Sequence, residues 1–173
     1  DENEITQILK YQGIIKGTIV ESINLTSIEK ELEKIRWIKN AELFINNQQL
    51  LEVKIQQRIP IARVFTVAGS SFYIDDQGWR LPLKQLTVLR LPVFTGFPTN
   101  QENLSAPDSL LLKEVLFFSN TIKSDSFFTA QIAQVNIGPN GDFQMVPSLG
   151  DHTVLIGSVD NLADKLNRLY TFY

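Results

Sequence analysis

The chain of 173 residues contains no cysteine and one histidine, His152. Without cysteine there is no disulfide scaffold and no thiolate metal site. The compartment stays open, because periplasmic and cytosolic proteins alike do without the residue. No apolar run approaches the roughly 20 residues that span a bilayer. No signal-peptide pattern opens the chain at Asp1, and no initiator methionine stands there. The reading is therefore of a trimmed piece, with any membrane anchor ahead of it. A net charge of -3 leaves no basic footprint for nucleic acid. What remains is ordinary for a globular protein, with 43% hydrophobic and 20% charged residues. That suffices for one large domain or two small ones.

Catalytic signatures are equally scarce. A lone His152 in the turn Gly150-Asp151-His152-Thr153 reads as a solvated turn residue. Gly69-Ser70-Ser71 lacks the Gly-x-Ser-x-Gly elbow of a serine nucleophile and reads as a hairpin turn. Asp75-Asp76-Gln77-Gly78 lacks the alternating oxygen ligands and closing glutamate of a calcium loop, so it too reads as a turn. No glycine-rich phosphate loop precedes a helix. These gaps predict a non-enzymatic protein with no cofactor and no metal.

The pattern along the chain predicts an α+β protein in two parts. Ile5, Ile8, Leu9 and Tyr11 fall at near-helical spacing, with Gly13 and Gly17 as stop and turn. A second helix has Thr26 as its cap, Glu29 in capping-box position, and Ile28, Leu32 and Ile35 on one face. Ala41, Leu43 and Ile45 then alternate with polar residues up to the turn Asn46-Asn47, and Leu51, Val53 and Ile55 alternate beyond it. This helix–helix–hairpin unit covers residues 1–57. From 58 to 173 the pattern is that of an antiparallel sheet with helices on one side. Strands are predicted over 62–67, 71–74, 79–81, 132–137, 143–146 and 153–156. One helix starts at Pro107-Asp108 and runs to about Asn120, and a last one is capped by Asp160. Trp37, Trp79, Phe117 and Phe118 are read as core residues.

Several blocks stand in one register. They are Arg36-Trp37-Ile38-Lys39-Asn40-Ala41-Glu42-Leu43, then Arg58-Ile59-Pro60-Ile61-Ala62, Tyr73-Ile74-Asp75-Asp76-Gln77-Gly78 and Leu91-Pro92-Val93-Phe94-Thr95-Gly96. In this order and at these distances they resemble the FtsQ/DivIB family of bacterial cell-division proteins. The resemblance implies a POTRA-like domain at 1–57 that lacks its first strand, and an FtsQ-type β-domain at 58–173 that lacks its final strand. It further implies a divisome scaffold on the periplasmic side of the inner membrane, single-pass, with partners of the FtsB/FtsL coiled-coil kind and a division DNA translocase. In the family the strand after the last helix pairs with the FtsB partner.

The residues singled out for the domain junction and for partner contact are Arg58, Pro60, Arg63, Leu43, Leu51 and Val53. The junction at 57–60 is short, which implies a fairly fixed domain orientation. The docking strands expected are those of the 41–56 hairpin and the last strand of the β-domain, whose edge is expected to be uncapped and open to self-pairing. Two other classes stay open. One is a POTRA-bearing module of an outer-membrane assembly or secretion protein, which should repeat the helix–helix–hairpin order. The other is a small hydrolase using Asp75, Asp76 or His152.

Overall fold

Asn24, rather than Thr26, starts the first well-marked helix. Its side-chain oxygen accepts the Ser27 N–H at 3.0 Å, which places Thr26 inside the first turn. Asparagine is at least as good a cap as threonine, and the shift frees Glu29 from the capping box. The computed structural model describes residues 2–19, 22–83 and 90–173. Their backbone divides into two units, Asp1–Arg58 and Ile59–Tyr173.

The first unit holds α1 (Glu2–Tyr11), α2 (Leu25–Glu33), β1 (Ile38–Ile45) and β2 (Leu51–Gln57). Strands β1 and β2 form an antiparallel pair in which Leu43 faces Val53 and Ala41 faces Ile55. The turn between them is held by Asn46, whose Oδ1 accepts the N–H groups of Gln48 and Leu50. Ile28 and Leu32, one turn apart on α2, meet Ile38, Ala41 and Leu43 of β1 in a small core. The period-3.6 face of the helix and the period-2 face of the strand thus bury each other. Ile5, Ile8 and Leu9 of α1 only half-bury at the margin of that core.

The second unit contains β3 (Pro60–Thr66), β4 (Ser71–Asp75), β5 (Arg80–Leu81), β6 (Val93–Phe97), α3 (Ala106–Lys123), α4 (Ser126–Gln131), β7 (Ile132–Ile137), β8 (Phe143–Pro147), β9 (Val154–Gly157) and α5 (Leu162–Phe172). The seven strands make one sheet in the order β5-β4-β3-β6-β7-β8-β9. The α+β class holds, but the sheet is mixed where an all-antiparallel one was expected. The pairs β3–β6 and β6–β7 are parallel. The physical reason lies in β6, which the sequence reading left unassigned. It leads through α3 and α4 to β7, and a helical crossover of that length returns the chain in parallel, whereas a hairpin returns it antiparallel.

Gly96, next to the last residue of β6, has to be glycine. It has φ +88°, and a Cβ on it would sit 2.3 Å from the Ile137 carbonyl oxygen. Only glycine lets β6 approach β7 that closely.

The helices cover one face of the sheet. Ala62, Val64, Phe72, Ile74, Phe94, Val135, Phe143 and Met145 meet Val115, Phe118 and Ile122 of α3, Phe128 of α4, and Leu162 and Leu166 of α5. Phe118 is the hub, with ring centroids 5.8 Å from Phe94 and 5.4 Å from Phe143. Alternate strand residues face the other way, and polar side chains at the middle of that face bond to one another. Thr95 Oγ1 donates to Asn136 Oδ1 at 2.7 Å, and Gln134 Nε2 donates to the same oxygen at 2.6 Å.

Two core expectations fail. Phe117 is 51% exposed and Trp79 53% exposed. Phe117 stands about 100° round the helix from Phe118 and so faces off the sheet, and Trp79 belongs to the tight turn between β4 and β5. Trp37 is half-buried. The last helix also begins differently: its N-cap is Asn161, at φ 51° with no side-chain cap bond. Asp160 instead accepts the Ser158 hydroxyl at 2.8 Å.

Candidate functional site

A sheet edge is a row of backbone donors and acceptors, and each edge here is treated differently. On β1, the Leu43 N–H donates to the Glu29 carboxylate at 2.8 Å and the Ala41 N–H donates to that of Glu33 at 3.3 Å. Glu29 and Glu33 are one turn apart on α2, so both reach the same strand. Two outward N–H groups of β1 are therefore already taken. It follows that Leu43–Val53 and Ala41–Ile55 are the non-hydrogen-bonded pairs of the hairpin, and that Val53 and Ile55 turn their backbone groups to the far edge of β2. Among the described residues no strand pairs with that far edge.

In the seven-stranded sheet, β5 is two residues long and is followed by Pro82, which has no N–H to offer. The opposite edge, β9, is more exposed. Leu155 projects from it with 76% of its surface open to solvent. Gly157 pairs with Phe143 and Leu155 with Gln144, which leaves Ile156 as the extra residue of a bulge. The edge is not uncapped, as the sequence suggested. Lys165 of α5 lays its ammonium group against it, donating to the Ile156 carbonyl at 3.0 Å and the Ser158 carbonyl at 2.9 Å.

The residues singled out from the sequence divide by position. Leu43 is 6% exposed and belongs to the core of the first unit, with Leu51 and Val53 half-buried beside it. What the hairpin offers outward is therefore backbone and not these side chains. The Arg58 N–H donates to the Trp37 carbonyl at 2.9 Å, closing the end of the hairpin. Pro60 is buried at the first position of β3, a place in a strand where proline fits. Arg63 lies on the helix-free face of β3. Its guanidinium stands 4.5 Å from the Phe65 ring centre and 5.7 Å from that of Tyr73. Nη2 donates to Ser71 at 3.1 Å, and the buried Nε has no hydrogen-bond partner.

The candidates for chemistry serve local structure. Asp75 is buried, and one of its oxygens accepts the N–H groups of Gln77 and Trp79 at 3.0 and 2.8 Å, which builds the turn. His152 Nε2 is 2.7 Å from the Tyr173 hydroxyl at the end of α5. Among the described residues no cluster of acidic and histidine side chains has metal-site geometry. No helix among them is long and apolar enough to cross a membrane.

A family model described as "FtsQ/DivIB, C-terminal related" matches residues 59–173, the whole of the second unit. The chain belongs to the FtsQ/DivIB family. The cell division protein FtsQ of Rickettsia bellii (strain RML369-C) is 30% identical to it over 74 residues. That alignment takes in 43% of this chain and 27% of the relative. In this FtsQ/DivIB-family chain, sequence reasoning singled out β1 and β2 side chains and missed Glu33, Leu155 and Lys165. The i, i+4 spacing of Glu29 and Glu33 was a visible signal for the first. Nothing in the sequence sets Lys165 against Ile156, because the turn at Gly157–Asn161 makes that contact.

Proposed function

We propose that this chain is the extracytoplasmic region of a non-enzymatic scaffold of the bacterial divisome. Family membership supports a role in cell division. In this reading an anchoring helix precedes residue 1 and holds the protein at the inner membrane, on its periplasmic side. The first unit is a POTRA-like domain, and the open far edge of β2 is where a strand preceding residue 1 adds to it. The second unit is the partner-facing β-domain. Its sheet order does not repeat the helix–helix–hairpin of the first, which argues against a string of POTRA modules in an outer-membrane assembly protein.

The observation that carries the reading is the β9 edge, where among the described residues no further strand pairs and Leu155 is exposed. Strand addition to such an edge joins proteins without chemistry: main-chain bonds give affinity and alternate side chains give specificity. The partners are division proteins of the FtsB/FtsL coiled-coil kind, with a division DNA translocase upstream. Titration of the chain with the extracytoplasmic FtsB/FtsL pair of the same organism tests this. Leu155→Asp should weaken binding roughly tenfold or more, as expected for a charge set into an apolar contact. Binding that ignores Leu155→Asp would move the docking surface elsewhere. No binding, either by this chain or by one carrying about 30 to 40 further residues, enough for a connection and a strand, sinks the scaffold reading.

A further inference from the structure

We propose that one end of the first unit binds an anionic lipid surface, through the loop after α1 and the turn between β1 and β2. This contact presupposes the reading above that an anchoring helix precedes residue 1, which keeps α1 beside a bilayer. A cavity of about 460 Å³ opens between that loop and that turn, with Leu9, Ile14 and Ile45 half-buried in its wall. Two more apolar side chains line it and stay exposed, Ile15 at 65% and Leu50 at 58%. Lys10 and Lys16 line it too, and among the described residues neither ammonium group has a partner. No carboxylate is among the described residues round the cavity. The acids of α1, Glu2 and Glu4, lie in its first turn, while Lys10 lies in its last.

Both apolar tips stand on backbone that is already fixed. The Thr18 hydroxyl accepts the Ile15 N–H at 3.0 Å and donates to the Ile15 carbonyl at 2.8 Å. Gly17, at φ +98°, lets the chain turn between them. The Leu50 N–H donates to Asn46 Oδ1 at 3.0 Å. Side chains presented this way lose little freedom when something covers them. Apolar groups gathered round one cavity mark a contact surface, as single ones scattered over a protein do not.

The two lysines decide what the occupant is. Apolar tips flanked by free ammonium groups match the boundary of an anionic bilayer, where acyl chains lie just beneath phosphates. A lysine stem lies along the apolar layer while its head stays at the phosphates. A second copy of this chain suits the patch poorly. In a two-fold contact it would set its own Lys10 and Lys16 against these, and like charges would meet.

The test mixes the chain with vesicles of phosphatidylglycerol and phosphatidylcholine that carry some spin-labelled lipid. The amide signals of Ile15, Lys16 and Leu50 should broaden before any others. Ile15→Asp should weaken sedimentation with the vesicles roughly tenfold or more. Lys10→Gln and Lys16→Gln together should weaken it roughly twentyfold, about fivefold for each lysine near a charged surface. The two corresponding arginine variants keep the charge and should match the parent. All three positions are exposed, and the remaining amide signals check that each variant folds. Equal binding to vesicles of phosphatidylcholine alone, or binding indifferent to the lysines, overturns the proposal. So does self-association of the parent chain that Ile15→Asp abolishes. If no vesicle binds the chain while the FtsB/FtsL pair does, the lipid contact falls and the scaffold reading stands. Vesicle binding that follows the lysines, with no binding of the pair, upholds the lipid contact and sinks the scaffold reading instead.

Discussion

The Glu29 carboxylate accepts the Leu43 N–H at 2.8 Å, from a helix to a strand fourteen positions later. With Glu33 on Ala41, it does for β1 what Lys165 does for β9, using acceptors on donors where Lys165 uses donors on acceptors. The chain therefore presents two sheets whose outer strands are partly satisfied by side chains of their own helices. Neither device needs more than one turn of helix at the right height beside a strand.

Replacement of Glu29 should show how much that contact contributes. Glu29→Ala leaves a part-buried N–H without its partner and should destabilise the first unit by about 1 kcal/mol or somewhat more. Glu29→Gln keeps an acceptor oxygen and should recover most of the loss. Urea unfolding, with hydrogen exchange at the Leu43 amide, measures both. Equal stability of all three forms, with no faster exchange at Leu43, would show that the bond contributes nothing.

Gly96 makes a sharper prediction. A methyl group there meets the Ile137 carbonyl oxygen at 2.3 Å, and the backbone sits at φ +88°. Neither can be relieved by turning a side chain, since the obstacle is backbone of the neighbouring strand. Gly96→Ala should cost about 3 kcal/mol or more, the sum of left-handed strain and a displaced parallel pair. A melting curve unchanged within a degree or two would mean that β6 and β7 separate freely here.

Much of this fold was legible because its periods are clean. The hairpin of β1 and β2 followed from alternation around Asn46, and α3 from the Pro107-Asp108 start and a broad apolar face. Three things were not legible. The strand β6 is short and framed by Pro92 and Pro98, so it reads as loop until β3 and β7 are placed on either side of it. The cap at Asn24 competes with Thr26 two positions on, and propensity alone does not choose between two good caps. The Lys165 contact at β9 is tertiary, reaching carbonyls seven and nine positions back across a left-handed residue at Asn161. Side chains named for partner contact were chosen for their apolar alternation. That same alternation put Leu43 into the core. Sequence pattern finds the strand, but it does not distinguish the face that is buried from the edge that is offered.

Phe117 and Phe118 separate those two kinds of information most cleanly, because they are neighbours of identical chemistry. Phe118 is fully buried, with its ring against Phe94 from β6 and Phe143 from β8, so it ties α3 to two strands of the sheet. Phe118→Ala opens a cavity among close-packed rings that cannot collapse without moving strands. It should cost about 3 to 5 kcal/mol. Phe117 turns about half its surface to solvent. Phe117→Ser removes little buried area and should stay within about 1 kcal/mol of the parent. Thermal unfolding of the two variants side by side decides the matter. A loss at Phe117 comparable to that at Phe118 would mean that α3 is covered on its outer face as well, and that its exposed phenylalanine belongs to a second packing surface.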